Sequence, residues 1–187
     1  MDILIIAGLA VAGLVALSTG GAAALMGGTQ ASDLAPLSVP ARAAKVKSLI
    51  QSQNLAGMDW RCVWLMADME QGISEGLLTP AFRATNSLFN RHKGLGKVGV
   101  ANSDGYWTGN TFYVSEADPD LRIYTDMEQS VKDFVSLMQD GIYAQAYAAA
   151  TQGDISGFIS AIAAVPYSAQ IGYETALNDR ANSLGVA

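Results

Sequence analysis

The run Trp60-Arg61-Cys62-Val63-Trp64-Leu65-Met66-Ala67-Asp68-Met69-Glu70 constrains this 187-residue chain more than any other segment. Trp60, Val63, Trp64, Ala67 and Glu70 recur at the three-and-four spacing of one helical face. Asp59 stands where an N-cap belongs, since its carboxylate can accept from the unpaired amides of a first turn. Gly72 and Gly76 then break the helix. The consequence is one glutamate, Glu70, placed at the end of an apolar helix.

The rest of the chain is expected to be mostly helical. Ala41 to Gln53 has helix-forming residues with apolar positions at Val46, Leu49 and Ile50. Val98 to Val114 changes character: β-branched and aromatic residues alternate with turn signals such as Ser103-Asp104-Gly105, which predicts a β-hairpin ended by Asp118-Pro119-Asp120. After Thr125 helical spacing returns, with Met127, Val131, Phe134, Val135 and Met138 in one stripe. An Ala-rich stretch from Tyr143 to Ala150 follows, Asp154 is placed to cap Ile155 to Ala164, and Pro166 precedes a last helix over Tyr167 to Leu184. The fold class this predicts is mainly α (α+β), about six helices with one hairpin.

Residues Ile3 to Leu17 carry no charge, and the uncharged stretch reaches Ser32. About twenty helical residues span a bilayer core, so residues 1–26 are long enough to do so. A retained membrane anchor fits length and hydropathy best. A cleaved signal peptide lacks its basic opening, since the chain begins Met-Asp with no Lys or Arg before Arg42. The third reading is an apolar helix embedded in an assembly, where Ala7, Gly8, Ala12 and Gly13 allow close helix approach. Residues 27–40, small, polar and Pro-containing, read as a linker. Residues 41–187 then form one domain, about 150 residues and enough for a sizeable core.

Composition excludes several functions. A net charge of −6 with no basic face argues against nucleic-acid binding. One cysteine, Cys62, rules out an intrachain disulfide, and its apolar neighbours predict a buried inert thiol. One Cys and one His, His92, supply too few ligands for an ordinary zinc site, so neither metal nor other cofactor is expected.

Four segments resemble, in order, the glucosaminidase domain of glycoside hydrolase family 73, the peptidoglycan-cleaving domain of flagellar, autolytic and phage enzymes. Met69-Glu70-Gln71-Gly72 is similar to the family's Glu-Ser-Gly after an apolar helix, with Gln71 a departure. Asn86-Ser87-Leu88-Phe89-Asn90-Arg91-His92-Lys93-Gly94 is similar to Asn-Asn-Leu-Phe-Gly-Ile-Lys-Gly. Arg122-Ile123-Tyr124, with the helix after it, resembles the family's Phe-Arg-x-Tyr segment. Pro166-Tyr167-Ser168-Ala169 stands where the family has Gly-Tyr-Ala-Thr, and Tyr173 resembles a second tyrosine six residues on. The resemblance spans about Trp64 to Leu177. It implies a lysozyme-like helical domain with a small β-hairpin lobe, here preceded by an apolar N-terminal helix.

Cleaving a glycosidic bond takes a proton on the leaving oxygen and charge stabilisation at the anomeric carbon. A carboxyl packed against apolar side chains is suited to keep that proton. Glu70 follows Met66, Ala67 and Met69 and is the candidate catalytic acid, with Glu75 its rival. Glu116 is the candidate second carboxylate, with Asp118 and Asp120 as substitutes. The resemblance implies that Tyr167 lines the cleft beside the acid. Asn86, Phe89, Tyr106, Trp107 and Tyr173 are candidate substrate-binding residues; a turn cap for Asn86, core packing for Phe89 and lobe packing for the two hairpin aromatics stand as the alternatives.

The resemblance implies a peptidoglycan hydrolase, its partner the glycan strand, cutting the β-1,4 bond between N-acetylglucosamine and N-acetylmuramic acid. The apolar N-terminus adds the expectation of a virion-associated or membrane-anchored protein facing the cell wall, held by a membrane or by other subunits through residues 1–26. The alternatives are a lytic transglycosylase and a non-catalytic structural virion or membrane protein on a degenerate lysozyme-like domain.

Overall fold

The computed structural model describes residues 28–91, 106–108, 111–113, 122–165, 167 and 171–187. Seven α-helices occur among them: α1 (Val39–Ser52), α2 (Trp60–Gln71), α3 (Pro80–Thr85), α4 (Met127–Met138), α5 (Ala144–Thr151), α6 (Ile155–Ala163) and α7 (Tyr173–Leu184). Helix α2 is the axis. Every residue from Cys62 to Asp68 has no exposed surface, and a helix buried on all sides belongs at the centre of a core. Helices α1, α6 and α7 pack on it, α5 packs against α6, and α4 touches α1 and α5.

Caps set where these helices begin and end. The Asp59 carboxylate accepts from the Arg61 amide at 2.8 Å to start α2, and Asp154 does the same for α6 through the Gly157 amide at 2.9 Å. Gly72 ends α2 in the left-handed region at φ +59, with its amide on the Asp68 carbonyl. A Cβ there would also fall 2.5 Å from a methyl carbon of Leu77, so glycine is required on both counts.

Residues 29–34, inside the stretch read as a linker, dock onto the helices. Ala31 and Leu34 are fully buried. The Thr29 amide and hydroxyl both donate to the Glu128 carboxylate, at 2.9 and 2.7 Å, and the Met127 amide donates back to the Thr29 carbonyl.

The expected α+β, lysozyme-like architecture with a β-hairpin lobe is corrected: the fold is mainly α-helical. The strands among the described residues are β1 (Tyr106–Thr108) and β2 (Thr111–Tyr113), three residues each, bonded to one another. Strands of about five or six residues, three or more together, are what a stable sheet layer needs. A ribbon this short is neither a sheet nor a lobe.

The membrane expectations are corrected as well. No helix among the described residues is long and apolar enough to cross a membrane. The longest, α1, has 14 residues and carries Arg42, Lys45 and Lys47, against about twenty apolar residues for a span. The membrane-anchored or virion-associated placement, and partnership with a membrane or virion assembly, therefore have no spanning helix to rest on. Residues 1–26, on which those expectations were built, lie outside the described residues.

Candidate active site

Glu70 is the penultimate residue of α2 and is half-buried. The helix stops at Gly72, so the Glu70 side chain stands where α2 meets the start of α7 and the loop after α3. Its Oε1 accepts from the hydroxyl of Tyr173 at 2.9 Å. Its Oε2 accepts from Asn90 Nδ2 at 3.2 Å, and the same Nδ2 donates to the Glu70 backbone carbonyl at 3.1 Å. Tyr173 is the first residue of α7, reached through Gly172 at φ +77, and only 6% of it is exposed.

Tyr167 completes the group without bonding the acid. Its hydroxyl donates to the Phe89 carbonyl at 3.3 Å. Its ring lies nearly parallel to that of Tyr173, with centroids 6.4 Å apart, and meets Phe134 and Tyr143 edge-on. Burial, and then the charge of Glu70, pushes the Tyr173 phenol well above the ordinary phenol range. The same two causes, in the same order, act on Tyr167. Both rings keep their protons, so each hydroxyl is a hydrogen-bond donor beside the carboxylate.

Glu70, Tyr167 and Tyr173, expected together from the sequence, are thus brought together. Phe89 lies behind them in the core, stacked on Phe134 at 4.2 Å. Asn86 is spent elsewhere. It ends α3 at φ +54, its Oδ1 accepts from the Ala31 amide at 2.8 Å, and its Nδ2 donates to the Tyr124 carbonyl and to Gln30, each at 2.9 Å. Asn86→Ala is expected to cost about 2–3 kcal/mol, because it strands two buried partners and leaves a Cβ residue in a left-handed turn. Urea denaturation reads this, and a loss below about 0.5 kcal/mol, the size of an ordinary surface change, would show that the side chain does not join these segments.

The rival acid Glu75 is 55% exposed and pairs with Arg180 of α7 at 2.8 Å. Tyr106 and Trp107 lie in β1, opposite Tyr113 and Phe112. Glu116, Asp118 and Asp120 fall outside the described residues, as does His92. Burial pushes the Cys62 thiol up to about 12, with the nearby Asp59 charge adding to it, so it is an inert core residue. No group of three or more His, Cys, Asp or Glu able to hold a metal occurs among the described residues.

Three participants escaped the sequence reading. Gln71, 3% exposed, donates from Nε2 to the Ser87 carbonyl and to Asn90 Oδ1, both at 2.7 Å. Asp133 gathers the Arg-x-Tyr segment: Arg122 Nη1 reaches both carboxylate oxygens at 3.0 Å, the Tyr124 hydroxyl donates at 2.6 Å, and Arg91 Nε lies 3.5 Å away. The Arg122 amide also donates to the Arg91 carbonyl at 2.9 Å. Gln71 showed itself in sequence only as a departure from Glu-Ser-Gly, while Asn90 and Asp133 stood unmarked inside segments chosen for other residues.

No family model, curated protein or solved structure matches the chain.

Proposed function

We propose that this chain is a peptidoglycan hydrolase of the glucosaminidase type, with Glu70 giving its proton to the leaving glycosidic oxygen. The observation that carries the reading is the setting of that one carboxyl: half-buried at the end of an apolar helix, with one oxygen on the Tyr173 hydroxyl and the other on the Asn90 amide. A hydroxyl rotates, so Tyr173 accepts while Glu70 holds its proton and donates once the proton has gone. Hydrogen bonds to an ionised carboxylate are roughly twice as strong as neutral ones. Tyr173 and Asn90 therefore stabilise the charge that develops on Glu70 as the bond breaks, which is when stabilisation accelerates the reaction. Tyr167, stacked behind Tyr173, fixes the plane of that ring. The four resembling segments supply the substrate class, a glycan of N-acetylglucosamine and N-acetylmuramic acid.

Digestion of purified cell walls followed by mass spectrometry of the muropeptides tests the reading. The expected products end in reducing N-acetylglucosamine. Products ending in 1,6-anhydromuramic acid would replace the hydrolase with a transglycosylase, and an undigested wall would remove both.

A further inference from the structure

Asn90 donates to the Glu70 carboxylate oxygen that Tyr173 does not touch, and Gln71 donates to Asn90. We infer that they form a positioning relay: Gln71 dictates which way the Asn90 amide faces, and Asn90 holds the Glu70 carboxyl against Tyr173. The inference rests on the reading of Glu70 as the acid.

The orientation of both amides is forced by backbone carbonyls, which only accept. The Ser87 carbonyl lies 2.7 Å from the end of Gln71, so that end is the NH₂ group. The same NH₂ meets Asn90 at 2.7 Å, so the Asn90 atom there is its oxygen. The Asn90 NH₂ is then left for Glu70, and the Glu70 carbonyl at 3.1 Å demands the same choice. Turning the Asn90 amide over would set its oxygen against the Glu70 carboxylate. Two independent backbone carbonyls, then, specify one arrangement in which the carboxyl is met by a donor.

The backbone supports a role for the side chain. Asn90 sits at φ +45, where glycine carries no steric cost and asparagine is only tolerated. A turn needing nothing but its shape is best served by glycine. The amide is what asparagine adds.

Among the described residues, Tyr173 on α7 and Tyr167 in the connection before it feel the charge of Glu70. Arg91, Tyr143 and Asp133 stand beyond, around Tyr167. Asn90 and Gln71 are neutral at every pH, so changing them alters hydrogen bonding and leaves the surrounding charges in place.

The test is an NMR titration of the ¹³C-labelled glutamate carboxyls in the full chain, with the Glu70 signal assigned by its loss in Glu70→Gln. Asn90→Gly relieves the backbone and removes only the amide. A donor favours the ionised carboxyl, so its removal is expected to raise the Glu70 midpoint by about half a pH unit or more. Gln71→Met, which removes one of the two groups that fix the Asn90 amide and leaves the Glu70 carbonyl to hold it, is expected to raise it in the same direction. The double variant is expected to move it no further than Asn90→Gly alone, because Gln71 acts through Asn90. An unmoved midpoint in Asn90→Gly overturns the relay, and so does a Gln71→Met shift that adds in full to that of Asn90→Gly. Wall digestion on the same samples separates the two proposals. Shifted midpoints without digestion by the wild type keep the relay and remove the hydrolase, whereas digestion with unmoved midpoints removes the relay alone.

Discussion

Glu70→Gln is expected to abolish cell-wall digestion, with a loss of at least about 100-fold, the scale on which a positioned general acid contributes. The fold should survive the change. Glutamine has the same shape, and its oxygen can still accept from Tyr173. Its NH₂ would then face the Asn90 NH₂, two donors where a donor met an acceptor, a conflict worth about 1–2 kcal/mol. A thermal melt beside the digestion assay separates loss of chemistry from loss of structure. Glu75→Gln is the control: its side chain is 55% exposed and Arg180 keeps its second partner Asp68, so the change costs under about 1 kcal/mol and digestion should persist. Full clearing of a peptidoglycan gel by Glu70→Gln, or its loss in Glu75→Gln, would move the chemistry to a different carboxyl.

Asp133→Ala is expected to be the most destabilising single change in the described structure, by about 3–5 kcal/mol. Arg122 is 1% exposed and Arg91 4% exposed, and the carboxylate of Asp133 is paired with both. Removing it leaves two guanidinium groups buried beside one another without that counter-charge, and strips the Tyr124 hydroxyl of its 2.6 Å acceptor. Tyr124→Phe removes only one neutral donor and should cost about 1–2 kcal/mol. Urea denaturation of the two variants gives the comparison. Equal losses would mean that the phenol, and not the charge, is what the carboxylate serves. The Arg122 amide is bonded to Arg91, and the Tyr124 amide to the Thr85 carbonyl at 2.7 Å. This network therefore fixes the loop bearing Asn90, so the surroundings of Glu70 inherit its stability.

Local features were legible because they depend on residues a few positions apart. The three-and-four spacing through Trp60 and Trp64 marked the central helix, and its N-cap Asp59 and stop Gly72 act on the turns next to them. Asp154 ahead of α6 is the same kind of signal. The hairpin pattern was local too, yet it misled about architecture. Turn dipeptides and β-branched residues say that a chain reverses, but they do not say how many strands gather or what they pack on, and among the described residues two three-residue strands pair. The long apolar N-terminal stretch likewise suggested an environment that no described helix is built to enter.

By itself the sequence determined where α2 and α6 start, that Glu70 lies in the last turn of an apolar helix, and that Cys62 is inert, since capping, periodicity and local hydropathy act within a few residues. Only the tertiary structure decided what surrounds Glu70. Tyr173 lies 103 positions away and Asn90 lies 20. Which of many possible donors reaches a carboxyl is settled by how α2, α7 and the loop after α3 pack together. The same packing set Asn86 at a joint between three segments, because the groups it satisfies meet only once the chain has folded.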